Sequence, residues 1–106
     1  MRKARVRRGM KKIDLVVTSA RYQGAGQRLL QARGFERRGQ VWSDTQLIDR
    51  EALALRLQRG ERVVVGREAA LPGDYEIGPR LALSRDRWII VEGSDGGRDD
   101  LGVPLF

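Results

Sequence analysis

The most distinct pattern of apolar and polar residues runs from residue 41 to residue 67 and predicts a strand, a helix and a second strand. An extended apolar run ends just before Asp49, which stands where a helix N-cap is expected. The helix is predicted over 50–59, because Gly60 follows at the position where a positive φ commonly ends a helix. The three valines after it favour a strand at 63–66, because β-branched side chains suit extended backbone.

Elsewhere the chain shows mainly the two-residue alternation that is typical of strands. Gly34 lowers the helical preference of its segment and favours a strand with a bulge. Gly78 and Pro79 predict a break between two strands, and Arg85 and Asp86 predict a tight turn. The predicted strands are 13–22, 28–36, 41–48, 63–66, 74–77, 80–84 and 87–92.

These elements predict an α+β fold. We expect a mainly antiparallel, strongly bent sheet, or a partly open small β-barrel, of five to seven strands with one short helix at about 50–59. A parallel crossover from 41–48 to 62–66 is the alternative, although the helical connection is close to the minimum length for one. The pattern leaves open whether those two strands pair parallel or antiparallel.

The length of 106 residues fits a single domain. We predict a disordered basic tail at 1–12, one globular α+β domain at 13–92 and a flexible C-terminal tail at 93–106. The C-terminal tail is rich in Gly and Asp, but its last residues, 103–106, are apolar enough to dock onto the domain.

Positive charge is concentrated at the N-terminal end. The net charge is +7, while residues 1–12 carry seven basic groups and residues 13–106 carry 14 basic and 14 acidic groups. The tail therefore holds the whole excess, and such a density of Arg and Lys attracts phosphates. Met10 is an alternative initiator; without residues 1–9 the net charge falls to +2, and the sequence does not decide whether those residues belong to the native protein.

The missing residue types exclude several kinds of chemistry. The chain has no His and no Cys, which excludes Ser-His-Asp triads, thiol chemistry and the usual zinc sites. All its Lys lie in the tail, which excludes a Schiff-base lysine and a phosphate-loop lysine in the body. We therefore expect no enzymatic activity, no cofactor and no metal. The acidic residues at 95–100 do not follow the spacing of a calcium-binding loop. No apolar run approaches the roughly 18 residues of a membrane span, so we expect no membrane partner and a cytoplasmic location.

A second basic group lies at the predicted hairpin end, where Arg33, Arg37 and Arg38 neighbour Phe35 and Trp42. Arg beside aromatic rings can stack on bases and bind phosphates. The alternative is that the two aromatic residues are core and the arginines are simply exposed. The predicted nucleic-acid contacts are Arg2, Lys3, Arg5, Arg7, Arg8, Lys11, Lys12, Arg33, Arg37, Arg38 and Trp42.

The sequence thus predicts a non-enzymatic binding module that engages nucleic acid through the basic tail and the Arg and aromatic hairpin end. The alternative is a protein-interaction or small subunit domain, which would contact a partner or its own copy through a sheet edge or through residues 103–106. A third hypothesis is an enzyme based on the carboxylates of Asp44, Asp49 and Glu51. The ligand, the oligomeric state and the pathway stay open.

Overall fold

The chain forms an α+β fold, as expected, with one mixed sheet and a single helix among the described residues. The computed structural model describes residues 5–7, 13–24, 28–39, 41–71 and 74–106, and for residues 5–7 it describes the backbone only. The elements are β1 Arg5–Arg7, β2 Leu15–Tyr22, β3 Leu29–Arg38, β4 Val41–Trp42, β5 Gln46–Asp49, α1 Arg50–Gln58, β6 Val63–Glu68, β7 Asp74–Leu83 and β8 Ile89–Val91.

The sheet is open. Its strand order is β1-β7-β6-β2-β3-β4, with β5 also paired to β3 and β8 also paired to β7. The pairs β1–β7 and β2–β6 are parallel, and the other five pairs are antiparallel. Within the described part of the chain, β1 and β4 at the two ends of this order do not pair, so the sheet does not close into a barrel.

The helix α1 connects two strands that run in the same direction but do not pair. β5 lies against β3 and β6 lies against β2, so β2 and β3 separate the two strands that α1 joins. Local sequence fixes both helix ends as predicted. The Asp49 carboxylate accepts a hydrogen bond from the amide of Ala52 at 2.8 Å, and Gly60 follows with a φ of 81°.

The alternation of side chains gives the sheet two buried faces. On the helix face, Leu53 of α1 packs with Leu15 and Val17 of β2 and with the alternate valines of β6. On the aromatic face, Phe35 packs edge-on against Trp42, with ring centroids 5.5 Å apart, and against Tyr75 at 5.0 Å. Both faces have fully buried side chains, which explains the almost continuous apolar runs of β2 and β6.

Gly34 lies within β3 and marks the position of a bulge, but the extra residue of that bulge, Thr18, lies in the neighbouring strand β2. The pairing of β2 with β3 shifts by one residue between Val17 and Ser19, directly opposite Gly34 and Arg33. A Cβ at Gly34 would overlap with the main-chain oxygen of Val16. Only glycine therefore allows β2 and β3 to approach this closely at the bulge.

Three segments differ from the sequence-based expectation. β7 continues through Gly78 and Pro79, because its pairing with β6 shifts between Val64 and Gly66 and the proline lies within that irregularity. The run predicted at 41–48 divides into β4 and β5. In the segment predicted to be a disordered tail, Arg5–Arg7 form β1 beside β7; residues 1–4 and 8–12 lie outside the described residues.

The segment from residue 93 onward is also more closely packed than the expected flexible tail. Leu101 is fully buried in the core of the helix face, and Asp99 is only 1% exposed. The Asp99 carboxylate accepts hydrogen bonds from the amides of Leu29 at 2.6 Å and Ile89 at 2.8 Å, and from Arg50 at 2.7 and 3.2 Å. Partners distant in sequence thus hold residues 99–101 against the domain.

Candidate functional site

A cleft of about 870 Å³ opens where β2 and β6 separate. These parallel strands pair only along Leu15–Val17 and Val63–Val65, and beyond this stretch they diverge. A crevice outside the carboxyl ends of parallel strands is a common ligand-binding position in sheet proteins. The cleft is lined by Thr18, Ser19, Arg33, Thr45, Val65, Gly66, Arg67, Glu68, Tyr75, Gly102, Val103 and Pro104.

The last residues of the chain form one wall of this cleft. The amide of Ala20 donates to the main-chain oxygen of Pro104 at 2.9 Å, and the amide of Phe106 donates to the main-chain oxygen of Ala20 at 3.1 Å. A parallel bridge between Ala20 and Leu105 results. Residues 104–106 thus take up the edge of β2 that β6 leaves free.

The ring of Phe106 is in contact with two guanidinium groups. The guanidinium carbon of Arg33 is 4.2 Å from the ring centroid and that of Arg21 is 4.7 Å from it. Arg21 also donates from Nε to the main-chain oxygen of Phe106 at 3.0 Å. Because Arg33 lines the cleft as well, this arrangement places a stacked cation at the cleft wall.

The side chains that line the cleft include two arginines, Arg33 and Arg67, and one carboxylate. No carboxylate of the described residues forms an ion pair with Arg33 or Arg67, whereas Arg38, Arg50 and Arg56 all have carboxylate partners. Glu68 is the one acidic residue in the lining. Four hydroxyl side chains complete the polar surface, those of Thr18, Ser19, Thr45 and Tyr75. Arginines and hydroxyl groups together are suited to binding phosphate oxygens.

The structure separates the residues of the predicted hairpin site. Trp42 is 6% exposed and belongs to the core of the aromatic face, with the Arg37 guanidinium 5.8 Å from its ring centroid. Its ring offers no open surface to a base, which supports the core interpretation of Trp42 and Phe35. Arg37 donates from Nε to the main-chain oxygen of Gly39 at 3.2 Å.

Arg38 and Arg33 lie in different surroundings. Arg38 is directed to the helix face, where it forms an ion pair with Glu36 at 3.0 Å. Arg33 contacts Phe106 and the cleft instead. Of the predicted tail contacts, Arg5 and Arg7 lie in β1, and Arg2, Lys3, Arg8, Lys11 and Lys12 lie outside the described residues.

The carboxylates with perturbed pKa values have structural partners. Hydrogen bonding from Arg56, at 2.5 Å, lowers the pKa of Glu36, and the same arginine pairs with Glu61 at 2.8 Å. Burial alone would raise the pKa of Asp99, but the hydrogen bonds from Arg50 and two amides outweigh burial and lower it.

The three carboxylates of the enzyme hypothesis lie on the surface. Asp44, Asp49 and Glu51 are exposed, and Asp49 is engaged as the helix cap. Across the residues that the structure describes, no three His, Cys, Asp or Glu side chains converge as a metal site would require.

Sequence reasoning missed Arg21, Arg67 and Phe106 as candidate site residues. Arg21 and Phe106 are 85 positions apart, so no local pattern links them. The only sequence signal was the apolar character of residues 103–106.

Comparison with protein-family models, with curated proteins and with solved structures finds no match to this chain. Among the described residues, no helix has the length and apolar character needed to cross a membrane.

Proposed function

We propose that the protein is a non-enzymatic binding module for single-stranded nucleic acid, and that the cleft between β2 and β6 is its central contact. The observation that carries this proposal is the pair Arg33 and Arg67, which line the cleft together with four hydroxyl side chains and without carboxylate partners among the described residues. Guanidinium groups bind phosphate oxygens through two N–H donors at once.

The shape of the site favours a single strand over a duplex. A duplex is read by a protruding helix or β-ribbon that enters a groove, whereas Arg33 and Arg67 line a concave surface. A cleft of about 870 Å³ is within the size range of small-ligand sites and accommodates one nucleotide of an unpaired strand. The basic residues at 1–12 would add sequence-independent attraction to the phosphates.

The test is fluorescence anisotropy with a labelled oligouridylate of about 12 nucleotides at several salt concentrations. We expect Arg33→Gln and Arg67→Gln each to weaken binding and to reduce the salt slope by about 0.7, the value for one phosphate contact on a single strand. Arg85→Gln is the matched control, because it removes the same charge from the exposed turn before β8. Equal losses in all three variants, or no binding by the wild type, would refute the cleft as the site.

The contribution of the tail is tested separately. Arg2, Lys3 and Arg8 lie outside β1, so replacing them by Gln substitutes no residue of that strand. This variant should lower the salt slope by about 2 if all three residues contact phosphates. Binding that still depends on Arg33 in this variant would show that the cleft acts independently of the tail. A tail variant with unchanged affinity and slope would remove the tail from the proposal.

A protein-interaction role is the second candidate, and the outer edge of the sheet favours it. Among the described residues, β5 pairs on one side only, and it exposes Leu47 at 55%. Val41 of the neighbouring β4 is 50% exposed. An edge strand with exposed apolar residues can pair with a second chain. Light scattering tests this role: a concentration-dependent dimer that Leu47→Gln abolishes supports it, and a strict monomer argues against self-association.

A further inference from the structure

A hinge precedes the last residues of the chain. Leu101 is fully buried, and its amide donates to the hydroxyl of Tyr22 at 3.1 Å. Gly102 follows with a φ of 68°, in the left-handed region that glycine adopts without strain. The firmly held segment 99–101 therefore ends at a residue that can change its backbone direction easily.

Residues 103–106, here called the strap, are held much more lightly than residues 99–101. Leu105 is 72% exposed and contributes little to the core. The strap is fixed by two main-chain hydrogen bonds to Ala20, by the bond from Arg21 to Phe106, and by the contacts of two arginines with the ring of Phe106. Val103 is its one side chain that packs against the core, and it is only half-buried. Segments with few buried apolar contacts open locally at low free-energy cost.

The strap covers what a nucleic acid would use. Bases stack on aromatic rings and on guanidinium planes, and the guanidinium groups of Arg21 and Arg33 are already in contact with the Phe106 ring. The main-chain oxygen of Phe106 accepts a hydrogen bond from Arg21 Nε, and this N–H could otherwise donate to a phosphate oxygen. Val103 and Pro104 also narrow the cleft as part of its wall.

We infer that the strap is an autoinhibitory element, in which Phe106 imitates a stacked base and must leave Arg21 and Arg33 before a single strand binds fully. This inference rests on the proposed function. In the closed form the cleft is only partly accessible. The apparent affinity therefore equals the affinity of the open form multiplied by the fraction of molecules in which the strap is open. Rotation at Gly102 releases the strap while residues 99–101 stay in place.

The first test compares Phe106→Ala with Leu105→Ala in the anisotropy assay with the oligouridylate. Removing the ring abolishes both contacts with guanidinium groups, so Phe106→Ala should bind about 5- to 30-fold more tightly than wild type. Leu105→Ala removes an exposed side chain of the same segment and should bind as wild type does. Unchanged or weaker binding by Phe106→Ala would overturn autoinhibition, and weaker binding would make Phe106 part of the ligand contact.

The second test locks the strap. The chain has no Cys, so Ala20→Cys combined with Leu105→Cys places the only two thiols at the bridge between β2 and the strap. The oxidised protein should bind the oligouridylate more weakly than the same protein after reduction. Equal affinity in the two redox states would overturn the inference.

The two proposals fail in different ways. If Arg33→Gln weakens binding but neither strap variant changes it, the site stands and the strap is not inhibitory. If Arg33→Gln has no effect, or if no variant binds the oligouridylate, both proposals fall.

Discussion

The buried carboxylate of Asp99 provides the sharpest test of how the C-terminal part is held, through the substitution Asp99→Asn. The wild-type side chain has no exposed surface, and each of its oxygens accepts one amide hydrogen bond and one bond from Arg50. Asparagine keeps the shape but replaces one of these oxygens by an NH₂ group. Whichever position the nitrogen takes, it faces two donors, and Arg50 loses its counter-charge.

The expected loss of stability is about 3 kcal/mol. Removing one partner of a buried ion pair costs about 3–5 kcal/mol. We take the lower end because the Arg50 side chain is 17% exposed and water can partly replace its partner. An amide left without an acceptor costs about 1–3 kcal/mol, which is consistent with this figure. For a domain of this length, a loss of about 3 kcal/mol corresponds to a decrease in Tm of about 12 °C.

Urea unfolding monitored by circular dichroism measures this loss. Asp95→Asn is the matched control, because it makes the same chemical change at an exposed position of the same segment and should shift stability by less than about 0.5 kcal/mol. If Asp99→Asn were within about 1 kcal/mol of wild type, the four hydrogen bonds would not anchor the segment.

Acid unfolding gives an independent check on Asp99. Its pKa in the folded protein is lowered, because hydrogen bonds from Arg50 and two amides outweigh the opposing effect of burial. The ionised carboxylate therefore contributes stability that is fully present above its unfolded pKa of about 3.9 and is lost as the pH falls through the lower folded value. Wild type should lose more stability than Asp99→Asn between pH 7 and pH values below about 3.9. Equal losses in the two proteins would contradict this account.

Three further predictions concern the scaffold, and each is measured by urea unfolding. Gly34→Ala should destabilise by more than about 2 kcal/mol, because its Cβ would overlap with main-chain atoms of β2, whereas Gly24→Ala has open space and should be nearly neutral. Asp49→Ala should cost about 1 kcal/mol through the lost helix cap, and Asp49→Asn should restore most of it. Glu36→Gln should make the free energy of unfolding less dependent on pH below about pH 4.3. The pKa of Glu36 is lowered in the folded protein, so its ionised carboxylate stabilises the fold and this stabilisation is lost on protonation. An unchanged pH profile would contradict this.

Local features of the sequence predicted the local features of the fold. The helix ends were predictable because Asp49 bonds to an amide three residues away and Gly60 directly follows the last turn. Gly34 marked the position of a bulge, since a missing side chain is visible in the sequence, although the extra residue lies in β2. The class of the fold followed from these elements, whereas the strand order did not, because α1 connects strands that are not neighbours.

The candidate site and the anchoring of the C-terminal segment could not be predicted because their contacts are distant in sequence. Asp99 binds Leu29 and Arg50, 70 and 49 residues away, so its acidic, glycine-rich neighbourhood suggested only a mobile tail. Whether Trp42 is a core residue or a platform for bases depends on its burial, which is decided by side-chain packing on the aromatic face and not by local sequence. The separation of β2 and β6 that forms the cleft depends on the register of strands that are far apart in the chain.

The balanced charge of residues 13–106 conceals how differently the arginines are used. Both arginines of α1, Arg50 and Arg56, are paired with carboxylates that are partly or fully buried. Arg33 has an aromatic ring as its contact instead, and a guanidinium group over a ring keeps its charge and its N–H donors. A charge count therefore treats all these arginines alike, although Arg50 and Arg56 are paired with carboxylates and Arg33 is not. Among the described residues, both arginines of α1 are thus neutralised, whereas Arg33 keeps its N–H donors for an anionic ligand that binds once the strap has opened.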